Sequence, residues 1–219
     1  MVFSVVGVRL LTEAQTPEKK LPVYSPSMVS AELVEEEIQY VKKYHKINPF
    51  SMVNQNGKTI TEKDYSDKIY VADFFFTTCP NICPMMTANM IYIQEKLKED
   101  DIMLASFTVT PEIDNVKVLK EYAVQKGVND SKWNITTGSK KHIYELARKS
   151  YFAVVDQGDG GLQDFIHTPN FILVDTKKQI RGIYDGTEDN EISRLINDVY
   201  LLSLIHISEP TRQEAISYA

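Results

Sequence analysis

Cys79 and Cys83 are the only cysteines in the 219 residues, four positions apart. Each precedes a proline, in Cys79-Pro80-Asn81-Ile82-Cys83-Pro84. A residue before proline is pushed out of the α region, so the spacing predicts that neither cysteine lies inside a helix. Pro84 suits the first helical position. That puts Cys83 at or near an N-cap, where the helix dipole and unpaired N–H groups favour a thiolate. Three intervening residues make a wider loop than the two of an ordinary dithiol oxidoreductase. Such a pair can close a disulfide or present two converging thiolates to a soft metal ion. A purely structural disulfide is the weaker use, because closing so small a loop stabilises little.

Two thiolates under-coordinate most metals, so a third ligand is expected among the four histidines. His45 and His142 stand in polar surroundings typical of surface residues, and His206 is near the C-terminus. His167 lies in Asp164-Phe165-Ile166-His167-Thr168-Pro169, in the loop leading into a core strand, from which a side chain can reach the cysteine turn. On position alone it is either a ligand or a solvated loop residue. Asp73, inside an apolar run, could take a proton from a nearby thiol or be hydrogen-bonded structure near a strand end. Met86 and Met90 fall at helical spacing and read as core rather than as thioether ligands.

The elements that must position these groups follow from periodicity. Residues 69–76 form a nearly continuous apolar run, a central strand that leads straight into the cysteines. Residues 85–98 read as a helix, with Met86, Met90, Ile93 and Leu97 on one face. Strands are predicted at 102–109, 133–136 and 152–155, with helices at 115–125 and from Ser139 between them. Gly127 and Gly138 act as stops. Asn54-Gln55-Asn56-Gly57 marks a hairpin ahead of the central strand, a second hairpin covers 171–174 and 179–184, and a last helix starts at 191–200. An amphipathic helix is expected at 31–43, and a glycine-rich turn at 158–161. Strands alternating with helices predict an α/β fold with a central, mixed, mostly parallel sheet and helices on both faces. A strand ending in a two-cysteine turn that opens a helix is the thioredoxin-like arrangement.

A net charge of −6 and a sequence pI near 5.3 argue against a nucleic-acid partner. The length suits one domain with a sizeable core. Residues 1–27, apolar and then polar and proline-bearing, read as a truncated export signal or anchor followed by a tether. The run from Leu202 to Arg212 resembles a translated sequencing adapter, so 202–219 are expected to be a non-native tail, leaving 28–201 as the domain.

Phe74-Phe75-Phe76-Thr77-Thr78-Cys79-Pro80-Asn81-Ile82-Cys83-Pro84 resembles the F-x-[FY]-T-x-C-P-x-x-C-P signature of the Sco/SenC family. These are thioredoxin-fold copper proteins that serve cytochrome c oxidase assembly. The likeness extends over about residues 50–200 and includes Thr110-Pro111-Glu112, Trp133-Asn134-Ile135-Thr136-Thr137-Gly138 and His167 ahead of Phe171-Ile172-Leu173-Val174-Asp175. The resemblance implies a copper ion held by Cys79, Cys83 and His167. It implies a metallochaperone that delivers copper to the copper-site subunit of cytochrome c oxidase. The partners would include a copper donor and a thiol reductant, since an extracytoplasmic compartment oxidises thiols. The alternative is a thiol–disulfide oxidoreductase, with Cys79 attacking and Cys83 resolving. Either role places the protein in the periplasm or anchored to the inner membrane facing it. Zinc held by the same residues is a weaker reading, because no activating base accompanies an open position. The chain departs from the family at Thr110 and Ile166, where acidic residues are usual. Pro169 stands roughly where dithiol oxidoreductases carry a cis-proline.

Overall fold

Seven strands and four helices occur in the computed structural model, which describes residues 20–29, 45–98, 101–154 and 166–217, with side chains as far as Leu204. The strands are β1 (Ser51–Asn54), β2 (Thr59–Thr61), β3 (Ile69–Phe75), β4 (Ile102–Thr108), β5 (Trp133–Thr137), β6 (Asn170–Val174) and β7 (Ile180–Asp185). The helices are α1 (Cys83–Lys96), α2 (Val116–Lys126), α3 (Lys140–Glu145) and α4 (Asp189–Ser217). The predicted helix at 31–43 and the turn at 158–161 lie outside the described residues.

All strands join one sheet in the order β2-β1-β5-β4-β3-β6-β7. β3, β4 and β5 pair in parallel, while the hairpins β1–β2 and β6–β7 add antiparallel at the two sides. The sheet is mixed, with its parallel part confined to the centre. One expected strand is absent. Residues 152–154 are fully or nearly buried, but they follow a π-helical turn (Leu146–Ser150) and a left-handed Phe152 at φ 50°. Ala153 spends its N–H on Ala147 O (2.8 Å) and its carbonyl on the side chains of Thr168 and Asn170. It therefore has no backbone groups left for a ladder.

Every residue of β3 is buried, and the period of two divides its side chains between two cores. Val71 and Phe75 enter the core under α1, α2 and α4, which also takes Cys79 and Cys83. Tyr70, Ala72 and Phe74 enter the opposite core, which takes Ile143 and Tyr144 of α3. By the same alternation Asp73 is on the cysteine side. Met86, Met90, Ile93 and Leu97 are fully buried, as their helical spacing predicts. Asn115 caps α2 by accepting from the N–H of Lys117 and Val118, and Gly127 ends it at φ 80°, a left-handed conformation that glycine adopts without a Cβ clash. Ser139 is at the N-cap of α3, although its side chain makes no capping bond. α4 begins two residues earlier than expected and its backbone continues through part of 202–219, with Leu202 buried in the cysteine-side core. No helix among the described residues is long and apolar enough to cross a membrane.

Candidate functional site

The chain leaves β3 at Phe75 and turns through Thr77 and Thr78, with Cys79 N–H closing the turn on Phe76 O (3.3 Å). α1 then starts at Cys83, one position earlier than the proline rule alone implies, with Ile82 as N-cap and Pro84 in the first turn. Cys83 is thus the first helical residue and not an interior one. The two sulfurs are unbridged and both residues are buried, Cys79 at 7% exposure and Cys83 at 3%.

The two thiols differ sharply. Burial by itself would raise the Cys79 pKa. The amides of Cys83, Asn81 and Ile82 all donate to its sulfur, as does the Cys83 thiol, and together they bring it below the ordinary thiol range. Burial pushes the Cys83 thiol up to about 12, with the neighbouring Cys79 and Asp73 adding to the rise. The expectation that the helix N-terminus would ionise Cys83 is therefore corrected. Cys83 is the first residue of the helix, and the amides that lower a thiol here, its own and those of Asn81 and Ile82 just ahead of α1, act on Cys79 across the loop.

Asp73 lies in the same layer. Ser106 Oγ donates to its Oδ1, and Trp133 Nε1 donates to Ser106 Oγ at 2.8 Å. Burial raises the Asp73 carboxyl to about 7 despite the Ser106 bond. Its charge also raises Cys83 and Tyr122, whose phenol oxygen is 2.7 Å from Thr87 Oγ1. Asp73 is therefore both hydrogen-bonded structure and close enough to Cys83 to act on it electrostatically.

His167 arrives from the other side. β6 runs antiparallel to β3 with Ala72 opposite Ile172, so the segment ahead of β6 arrives at the end of β3 that leads into the cysteine turn. The residues on either side of it, Ile166 and Thr168, are buried, while His167 itself is exposed. Thr168 Oγ1 donates to Ala153 O at 2.6 Å and Gly186 N–H to Pro169 O at 2.7 Å, so the backbone around the histidine is held in place. The imidazole rests against Phe76, ring centroids 6.4 Å apart. Among the described residues no three His, Cys, Asp or Glu side chains stand together at metal-binding distance. The fold thus pairs the two cysteines and brings His167 to the same end of the sheet, with its ring on Phe76 rather than on the sulfurs. Thr168–Pro169 is a trans bond.

The sequence pattern of the SCO1/SenC family matches residues 39–200. The chain belongs to the SCO1/SenC family. Among solved SCO1/SenC structures, a family lipoprotein from Bacillus anthracis is 33% identical, with a TM-score of 0.65 over 73% of this chain and 95% of that one. BsSco is described as a member of the Sco family of cytochrome c oxidase assembly proteins with a disulfide switch. It is 36% identical with a TM-score of 0.63, over 73% of this chain and 94% of its own. ScoI of Arabidopsis thaliana, solved with copper bound, is 25% identical with a TM-score of 0.54, over 70% of this chain and 94% of its own. The SCO1/SenC neighbours share the thioredoxin-like fold described above.

The two departures from SCO1/SenC habit have plain places in the structure. Ile166 is buried at 2% exposure in the core opposite the cysteines. Thr110 donates its hydroxyl to Asp114 at 3.0 Å. Asp114 itself escaped the reading of the sequence, because no pattern singles out an acid four residues beyond a Thr-Pro pair. Of the other histidines, His45 is not a free surface residue. Its Nε2 is 2.7 Å from Ser150 O and its ring packs on Phe152, and burial lowers its pKa.

Proposed function

We propose that this chain is a copper metallochaperone that holds copper(I) on Cys79, Cys83 and His167 and passes it to the copper-site subunit of cytochrome c oxidase. The observation that carries this reading is the pair of unbridged sulfurs in the turn after β3, one of them made more acidic by hydrogen bonds, with the His167 ring against Phe76 at the same end of the sheet. Two thiolates and a neutral imidazole are soft donors that suit copper(I). Burial makes Cys83 hold its proton far more tightly than Cys79, and Cys83 must release it to bind, so loading is coupled to proton loss. The imidazole must leave Phe76 for the sulfurs. An open site at the end of a strand suits exchange with an acceptor's own ligands. The copper-bound relative supports the metal, and the lipoprotein relative supports an anchored, extracytoplasmic domain preceded by the tether at 1–27. A copper donor and a thiol reductant complete the cycle. Residues 202–219 we regard as an appended, non-native tail.

The split between the two thiols favours a second reading, a thiol–disulfide oxidoreductase. Cys79 as thiolate attacks an acceptor disulfide, forming a mixed disulfide and releasing one acceptor thiolate, which takes up a proton. Cys83 then loses its proton and attacks Cys79, which frees the second acceptor thiol and leaves Cys79–Cys83 oxidised by two electrons. The disulfide switch described for BsSco supports this use of the pair.

The deciding experiment is a copper(I) titration of reduced protein against a competing chelator, wild type beside His167→Ala. One tight site, strongly weakened in the variant, is the expected result. Absence of competitive binding, or binding indifferent to His167, would sink the chaperone reading and leave the redox pair.

A further inference from the structure

Asp114 is fully buried in the loop between β4 and α2, and no cation pairs with it among the described residues. Four donors converge on its carboxylate instead. Thr77 gives both its hydroxyl and its N–H, the latter at 3.1 Å, and Thr108 and Thr110 each give a hydroxyl. The Thr108 hydroxyl also accepts from Thr110 N–H at 3.1 Å, so its own hydrogen is committed to Asp114.

Most of what holds this region together does not need Asp114. Val109 N–H already joins the ends of β3 and β4 through Phe75 O at 2.8 Å. Ile113 and Asp114 N–H groups already close the loop on Thr110 O, each at 2.9 Å. Asn115 already caps α2. What the carboxylate adds, and none of these supplies, is a link across to Thr77, past the end of β3 and two residues before Cys79. We propose that Asp114 is a positioning residue that clamps the cysteine turn to the end of β4 through Thr77, and so fixes where that turn presents Cys79. The clamp rests on Cys79 being the working sulfur, whether its partner is a metal or a disulfide.

Asp114→Asn would also untie Thr108 and Thr110 inside the core, so Thr77 carries the test. Thr77→Val removes the hydroxyl link to the turn, Thr77→Ser restores it, and Thr110→Val removes an Asp114 bond that does not touch the turn. Reduced protein is alkylated with iodoacetamide at pH 7 and the initial rate at Cys79 is read by peptide mass spectrometry. The rate is expected to fall about threefold in Thr77→Val, a loss on the scale of part of one hydrogen bond. It is expected to recover in Thr77→Ser and to stay at the wild-type value in Thr110→Val. An unchanged rate in Thr77→Val, or an equal fall in Thr110→Val, would overturn the clamp. Copper(I) titration of the same variants keeps the two ideas apart. Failure to bind copper in every variant, with the alkylation pattern intact, would remove the metal reading and leave the clamp standing.

Discussion

Replacing Asp73 with asparagine should flatten the pH dependence of stability by a calculable amount. The carboxyl is buried on the cysteine side of β3, and burial raises it from 3.8 to about 7. A carboxyl raised on folding contributes stability that is complete below its unfolded pKa, declines between the two values, and is gone above the folded one. Each unit of that window is worth about 1.4 kcal/mol. Moving the wild type from pH 5 to pH 8 crosses about two of those units, a cost of roughly 2–3 kcal/mol. Asparagine keeps the shape and an acceptor for Ser106 Oγ but cannot titrate. The stability of Asp73→Asn relative to wild type should therefore improve by that amount over the same interval. Urea unfolding at pH 5, 6, 7 and 8 measures it, followed through the single tryptophan, Trp133, which donates to Ser106 in the same hydrogen-bonded chain. A difference between variant and wild type that stays constant to within about 0.5 kcal/mol across the series would refute burial as the cause of the raised carboxyl.

Two further outcomes follow from the unequal thiols. At pH 8 a limiting amount of iodoacetamide should label Cys79 far ahead of Cys83, because a thiol held near 12 has about a thousandth of the thiolate of an ordinary one near 9. Equal labelling, or Cys83 first, would contradict the amide geometry. Copper(I) affinity, measured by chelator competition from pH 7 to pH 9, should rise by at least about tenfold per unit, because Cys83 surrenders one proton on binding throughout that range. An affinity independent of pH would show that Cys83 binds as an already ionised sulfur or not at all.

Much of this architecture is written in local pattern. The apolar run before the cysteines is β3 with every residue buried, and the row Met86, Met90, Ile93 and Leu97 is the buried face of α1. Asn115 and Gly127 bound α2 as their types predict, and Gly57 turns the first hairpin at φ 74°. Each of these depends on neighbours a few residues apart, which is why composition and spacing reveal them. The strand expected at 152–155 shows the limit of such reasoning. Its residues are apolar enough, but Ala147 and the side chains of Thr168 and Asn170 have already taken the backbone groups of Ala153.

The sequence by itself determined that two cysteines would meet in a turn between a buried strand and a helix, and that a thioredoxin-like α/β fold would carry them. It also named His167 as the histidine to examine. Only the tertiary structure decided which sulfur is the more acidic. Spacing pointed to Cys83, yet the amides of Cys83, Asn81 and Ile82 lower Cys79, while burial, with Cys79 and Asp73 beside it, raises Cys83. Only the tertiary structure brought Asp114 to Thr77, 37 residues away along the chain, and the His167 ring to Phe76. The physical reason is the same in each case. A pKa and a buried hydrogen bond depend on what crowds a group in space, and sheet register sets that crowding between segments with no contact along the chain.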